Sequence, residues 1–209
     1  MLVIKKEADI ISVIAFAVSL VALVPQVYFF VRGPSPSIVQ PSAVVLHEEI
    51  GLSGMPHLAL TAPMVYLNNG SPNSSLVVLQ QFVELNAGAQ SFELRASHVV
   101  ETNSVGADYD NMPRSSALPF SVSEGEGYAE QVKFRPRPPV CQGAEMCDQR
   151  ANVRTIEEVL GSTEMFGAVN ISFVTVTSHG NISTTCEFEL SPGIRIALIE
   201  YRWVAVDCQ

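Results

Sequence analysis

The chain has 209 residues, with 12 Lys and Arg against 21 Asp and Glu, giving a formal net charge of −9. Its mean hydropathy is +0.25. This acidic balance excludes nucleic acid as an expected partner, because phosphates need Lys and Arg to replace their counterions, and it argues against a domain lying flat on anionic lipid.

Residues 1–9 read as a short polar leader. Residues 10–31 follow without a single charged side chain. A helix of about 22 residues rises roughly 33 Å, enough to cross a bilayer core of about 30 Å. A single-pass transmembrane helix is therefore expected over 10–31. A cleaved signal peptide has a shorter apolar core of about 7–15 residues and a small-x-small site, whereas Pro25, Gln26 and Val27 occupy that place here. Lys5 and Lys6 precede the stretch and only Arg32 follows closely. Positive residues stay inside, so the N-terminus is expected in the cytoplasm and the C-terminal domain outside it, in a periplasmic or extracellular/lumenal space. Pro25 should bend the helix, and Tyr28, Phe29 and Phe30 suit its interfacial end.

Along this helix Ser12, Ala15, Ser19, Ala22 and Gln26 recur at alternating gaps of three and four. They form one continuous stripe with the spacing of a heptad seam, while Val13, Phe16, Leu20, Val24 and Val27 point elsewhere. Small residues let helix backbones approach, and Ser or Gln can hydrogen-bond across the contact. The stripe is the expected helix–helix interface, with membrane protein subunits of a hetero- or homo-oligomer as partners.

Residues 32–42 contain Gly33-Pro34-Ser35-Pro36-Ser37 and Pro41. They read as a Pro-rich, semi-rigid stalk holding the remainder close to the bilayer. Residues 43–209 then form one domain, at roughly 170 residues large enough to bury its own core. Short runs rich in branched and aromatic residues predict strands at 43–47, 63–67, 76–85, 92–100, 118–122 and 129–134, separated by turn clusters such as Asn68-Asn69-Gly70-Ser71-Pro72 and Gly125-Glu126-Gly127. A connector, Arg135-Pro136-Arg137-Pro138-Pro139, precedes a loop with two cysteines. Thr155 and Glu158 make a capping box for one short helix that Gly161 can end. Val169, Ile171 and Phe173 alternate with polar residues, as do Ile182, Thr184, Cys186, Phe188 and Leu190, and His179-Gly180-Asn181 can supply the joining turn. A last long strand is expected over 194–206, with a bulge near Ile199.

Four cysteines, Cys141, Cys147, Cys186 and Cys208, allow three disulfide connectivities in an exported domain. Cys141 and Cys147 are close enough in sequence for a local bridge, which leaves Cys186 and Cys208 to pair between two C-terminal strands. In a cytoplasmic domain all four would be thiols.

Sites of chemistry are sparse. Gly51-Leu52-Ser53-Gly54 lacks the spacing of a nucleophile elbow, and no phosphate-binding glycine loop occurs. His47, His57, His98 and His179 show no paired ligand spacing, and no His lies near Cys141, Met146 and Cys147 to complete a copper site. Asp108, Asp110 and Asn111 lack the glycine and distal Glu of a hand-type calcium loop, and Glu124 and Glu126 suit a hairpin tip. Asn69, Asn73, Asn170 and Asn181 each begin an Asn-x-Ser pattern, a glycan acceptor in a eukaryotic exported protein.

The sequence thus predicts a mainly β protein. A single N-terminal transmembrane helix precedes an antiparallel, immunoglobulin-like β-sandwich with one short helix; a closed barrel is the alternative. No catalytic, cofactor-binding or metal-ligating residues are expected. The expected function is that of a non-enzymatic, membrane-anchored accessory or structural subunit, whose helix packs in a membrane complex and whose β domain docks on its extracytoplasmic face. The alternative is a membrane-anchored receptor or adhesion-type binding domain.

Overall fold

In a computed structural model of the chain, the described residues are 2–50, 56–71, 74–88, 90–103, 110–136, 155–162 and 167–209. The first element is α1 (Leu2–Arg32), a helix of 31 residues with Pro25 inside it. Strands β1 (Pro36–Val39), β2 (Ala43–Ile50), β3 (Pro56–Asn68), β4 (Ser75–Ala87), β5 (Gln90–Asn103), β6 (Asp110–Ser116), β7 (Phe120–Ser123) and β8 (Gly127–Pro136) follow. Helix α2 (Ile156–Ser162) precedes the hairpin of β9 (Ala168–Thr177) and β10 (Gly180–Glu189). Helix α3 (Pro192–Tyr201) and β11 (Trp203–Asp207) end the chain.

All strand pairings are antiparallel, in one hydrogen-bonded path β10-β9-β4-β5-β8-β3-β2-β11, with β1 beside β3, β6 beside β5 and β7 beside β4. The two ends of this path meet. Cys186 of β10 and Cys208 just after β11 form a disulfide with Cα atoms 4.7 Å apart, and Gln209 N donates to Glu187 O at 3.0 Å. The sheet is therefore curled until its first and last strands touch. One continuous core fills the inside, including Leu60, Met64, Leu85, Phe134, Ile171 and Phe173, each at most 1% exposed. Phe134 of β8 and Phe173 of β9 meet edge to face at 5.8 Å, so the two halves of the curl pack on each other.

Local sequence explains the joints. Thr177 Oγ1 donates to Gly180 O at 2.7 Å and accepts from His179 N, closing the β9–β10 hairpin at a glycine with φ of +110°. Both halves of the Thr155 capping box form: Thr155 N donates to Glu158 Oε2 at 3.1 Å and Glu158 N to Thr155 Oγ1 at 3.2 Å. Gly161 lies inside α2, not beyond its end. Strands β1 and β2 run one after the other along the same edge of β3: Val39 pairs with Val65, and Val45 with Thr61. Pro41 falls in the break between them and Pro63 in the stretch of β3 opposite, where the ladder on that side is interrupted.

Two expectations are corrected. Residues 194–206 do not form one strand. Ser191 caps a helix, accepting from Ile194 N, with Pro192 in the first turn, and Arg202 ends it with φ of +62° before β11 begins. The described residues thus hold three helices, not two. Part of the proposed stalk is strand β1, so the chain leaving α1 is built into the sheet. The expectation of a mainly β, antiparallel domain holds: hydrogen bonding joins the described strands into one curled sheet. The cysteines Cys141 and Cys147, the stretch 51–54, Asn73 and the loop at Asp108 lie outside the described residues, as do the side chains of Asp110 and Asn111.

Candidate functional site

Helix α1 presents a long exposed surface. Every described side chain on it, residues 12–28, is exposed. Apolar residues lie all round: Val13 is 68% exposed, Phe16 67%, Val21 73% and Val24 63%. A helix apolar on every side needs an apolar environment, because water gives none of its faces a preference. The stripe of Ser12, Ala15, Ser19, Ala22 and Gln26 is exposed with the rest. Ser19 Oγ donates to Ala15 O at 2.8 Å, so its hydroxyl is satisfied within the helix. No helix among the described residues is long and apolar enough to cross a membrane; residues 12–28 alone rise roughly 25 Å.

The junction below α1 is closely fitted. Asn68, fully buried at the end of β3, accepts from Ser35 N at 3.2 Å and from Gly70 N at 3.1 Å. Its amide donates to Ser74 O and to Val122 O. One side chain thus binds the segment after α1 to three strand ends. A Cβ on Gly70 would stand 2.6 Å from both Gly33 O and Pro34 Cα, so only glycine fits.

At the opposite end of β3 lies a cluster that the spacing of the histidines did not reveal. His47 and Glu49 alternate on β2, and Lys133 and Arg135 alternate on β8. Register sets Glu49 opposite His57, and Lys133 opposite both Thr61 of β3 and His98 of β5. Directly opposed residues share a face. Glu49 Oε1 accepts from Lys133 Nζ at 3.3 Å, its carboxylate takes a two-pronged bond from Arg135 (Nε to Oε2 2.6 Å, Nη2 to Oε1), and His57 Nε2 stands 3.8 Å from Oε2. Lys133 is 4% exposed and His47 6%. Burial tends to raise the Glu49 carboxyl, but the Arg135 hydrogen bond and the Lys133 charge outweigh it and hold it below the usual range. Burial first, and the Lys133 charge second, push the His47 imidazole down to about 4. His98 is also held low, by burial and then by Arg135 and Lys133. Glu49, Lys133 and Arg135 form a mutually paired ionic group. Among the described residues, no three of His, Cys, Asp and Glu converge to hold a metal ion.

Helices α2 and α3 close this same end of the curl. Arg195 Nη1 donates to Leu160 O at 3.0 Å, linking them. Arg202 Nη1 bridges Glu48 at 3.2 Å and Glu157 at 2.6 Å. Beneath them is an apolar pocket lined by Leu46, Leu58, Leu85, Ile156, Phe188 and Leu198, among others, with about 10 Å³ of free space. That holds no more than a water-sized body, so the pocket is a packing gap. The outer side of α3 leaves Ile196 (53%), Ile199 (52%) and Tyr201 (64%) exposed. Asn181 is exposed at the β9–β10 hairpin, and Asn170 Oδ1 accepts from Ser172 Oγ at 3.4 Å.

Neither family models, nor curated proteins, nor solved structures provide a match for the chain.

Proposed function

We propose that the protein is a non-enzymatic, membrane-anchored accessory subunit. Helix α1 lies in the bilayer with its N-terminus cytoplasmic and packs on partner helices through Ser12, Ala15, Ser19, Ala22 and Gln26. The β domain, its two facing halves acting as an immunoglobulin-like sandwich, docks on the extracytoplasmic face of the same complex. The observation that carries this reading is α1 itself: a 31-residue helix whose residues 10–31 carry no charge and rise about 33 Å, and whose described side chains are mostly apolar and all exposed. The close fit at Asn68 and Gly70 supports a domain held tightly beside the membrane. The Cys186–Cys208 disulfide is consistent with an oxidising compartment.

The test is purification of the full chain from native membranes in mild detergent. Partner subunits should co-purify, and Ala15→Leu with Ser19→Leu should lower their yield about tenfold, the loss of roughly 1.4 kcal/mol of helix packing. Unchanged recovery from the double variant refutes the stripe as an interface. A second reading, a receptor or adhesion-type binding domain, is favoured by the outward Ile196, Ile199 and Tyr201 on α3, at the end of the curl away from α1. Under it, the α1 variant would bind its soluble partner undiminished and Ile199→Glu would not.

A further inference from the structure

The Glu49 cluster goes beyond this reading, because an ionic group so arranged couples the sheet to acidity. A single carboxylate joins β2 to β8 through Lys133 and Arg135, and approaches β3 through His57. Charged and titratable neighbours come from every strand around it. Strand β2 gives His47 and Glu49, β3 gives His57, and β8 gives Lys133 and Arg135. Strand β5 gives His98 and also Arg95, which pairs with Arg135 in register and is held by Glu93 at 2.7 Å. Strand β11 sets Trp203 opposite His47. On the adjoining part of β2, Glu48 is bound to Arg202.

We propose that this cluster is an acid-sensitive latch for the end of the curl that α2 and α3 cover. With the histidines neutral, Glu49 answers two cations. With His47, His57 and His98 protonated, five cations surround one carboxylate, and like charges at such range repel. Relief comes from separating β2 from β3 and β8, starting at Ile50 and Pro56, where their pairing ends. The hairpin of β9 and β10, on the far side of the curl, has a single histidine, His179, exposed at its turn, and its carboxylates Glu187 and Glu189 stay charged across this range. Acid therefore loosens one end of the sheet and leaves that hairpin closed. A domain of this kind would change its docking face between neutral and acidic compartments.

Hydrogen exchange on the full chain in detergent micelles tests this at pH 7 and pH 5. Protection factors, which remove the intrinsic pH effect on exchange, should fall at least about tenfold over 45–50 and 57–60 and stay within about twofold over 169–188. The His47→Gln, His57→Gln, His98→Gln triple variant should lose that contrast. Trp203, the one tryptophan in the chain, provides a second readout. Its fluorescence should change as the pH is lowered to about 4, where His47 takes up its proton in the native protein, and stay flat in H47Q, which keeps side-chain bulk without the charge. Equal protection changes across the whole sheet, an unaltered contrast in the triple variant, or a flat Trp203 signal in the native protein would each overturn the latch.

Discussion

Removing the clasp at the seam of the curl should be costly. Cys186 and Cys208 are separated by 22 residues. A closed loop of that size restricts the unfolded chain by about 11 cal/mol/K, or about 3.4 kcal/mol at 25 °C. Cys186 is fully buried in the core, so its truncation to Ala leaves a small cavity that adds to this loss. The double variant Cys186→Ala, Cys208→Ala should therefore lose about 3.4 kcal/mol or slightly more. For a chain of this size that lowers Tm by about 7–13 °C. Urea titration followed by Trp203 fluorescence gives the midpoint and slope together, and the midpoint should drop with little change in slope. Hydrogen exchange should rise first in β10 and β11, the two strands the bond joins. An unfolding free energy within about 0.5 kcal/mol of the native protein's would refute the reasoning, since the sheet ends would then be held by packing alone.

Other consequences are local. Gly70→Ala should cost about 1–3 kcal/mol, because its methyl would meet two backbone atoms at 2.6 Å that cannot yield as a side chain can; calorimetry of that variant beside Gly127→Ala, whose Cβ meets the Leu67 side chain at 3.2 Å and backbone only at an ordinary 3.9 Å, checks it. The pH dependence of stability has a definite sign. His47 titrates near 4 in the folded protein, below its ordinary 6.5, so the unfolded chain takes up the proton first. Stability from the neutral imidazole is complete above about pH 6.5 and is lost on acidification towards pH 4, by about 3 kcal/mol in all. Denaturation midpoints of H47Q should be correspondingly flatter over that window; a native-like slope would show that the loss comes from other groups. Glu49, held below its ordinary value, adds its own loss only at lower pH, under about 4.5, and E49Q should remove that part.

What the sequence shows and what it hides divide along range. The alternation of Val169, Ile171 and Phe173, and of Cys186 and Phe188, is visible because a strand with one buried face repeats every two residues. The Thr155–Glu158 capping box is visible because both halves lie within four residues. Helix α3 carries the local pattern of a strand. Ile194, Ile196 and Leu198 alternate as a strand would, yet only Leu198 is buried. Ser191 followed by Pro192 was the signal that a helix starts there. The Glu49 cluster needs β2, β3, β8 and β5 to be neighbours, a matter of sheet order that no local pattern carries. One part was within reach: a β2–β3 hairpin would have placed His57 opposite Glu49. The meeting of β10 and β11 was half legible, since pairing Cys186 with Cys208 requires those segments to touch, but not that they are the two ends of one sheet.

The central claim is that α1 resides in lipid. Alkaline carbonate washing of membranes from cells making the full chain tests it most directly, with a detergent extract as the control. The protein should stay in the membrane pellet and leave it only in detergent. Release of the intact chain into the carbonate supernatant would contradict the account.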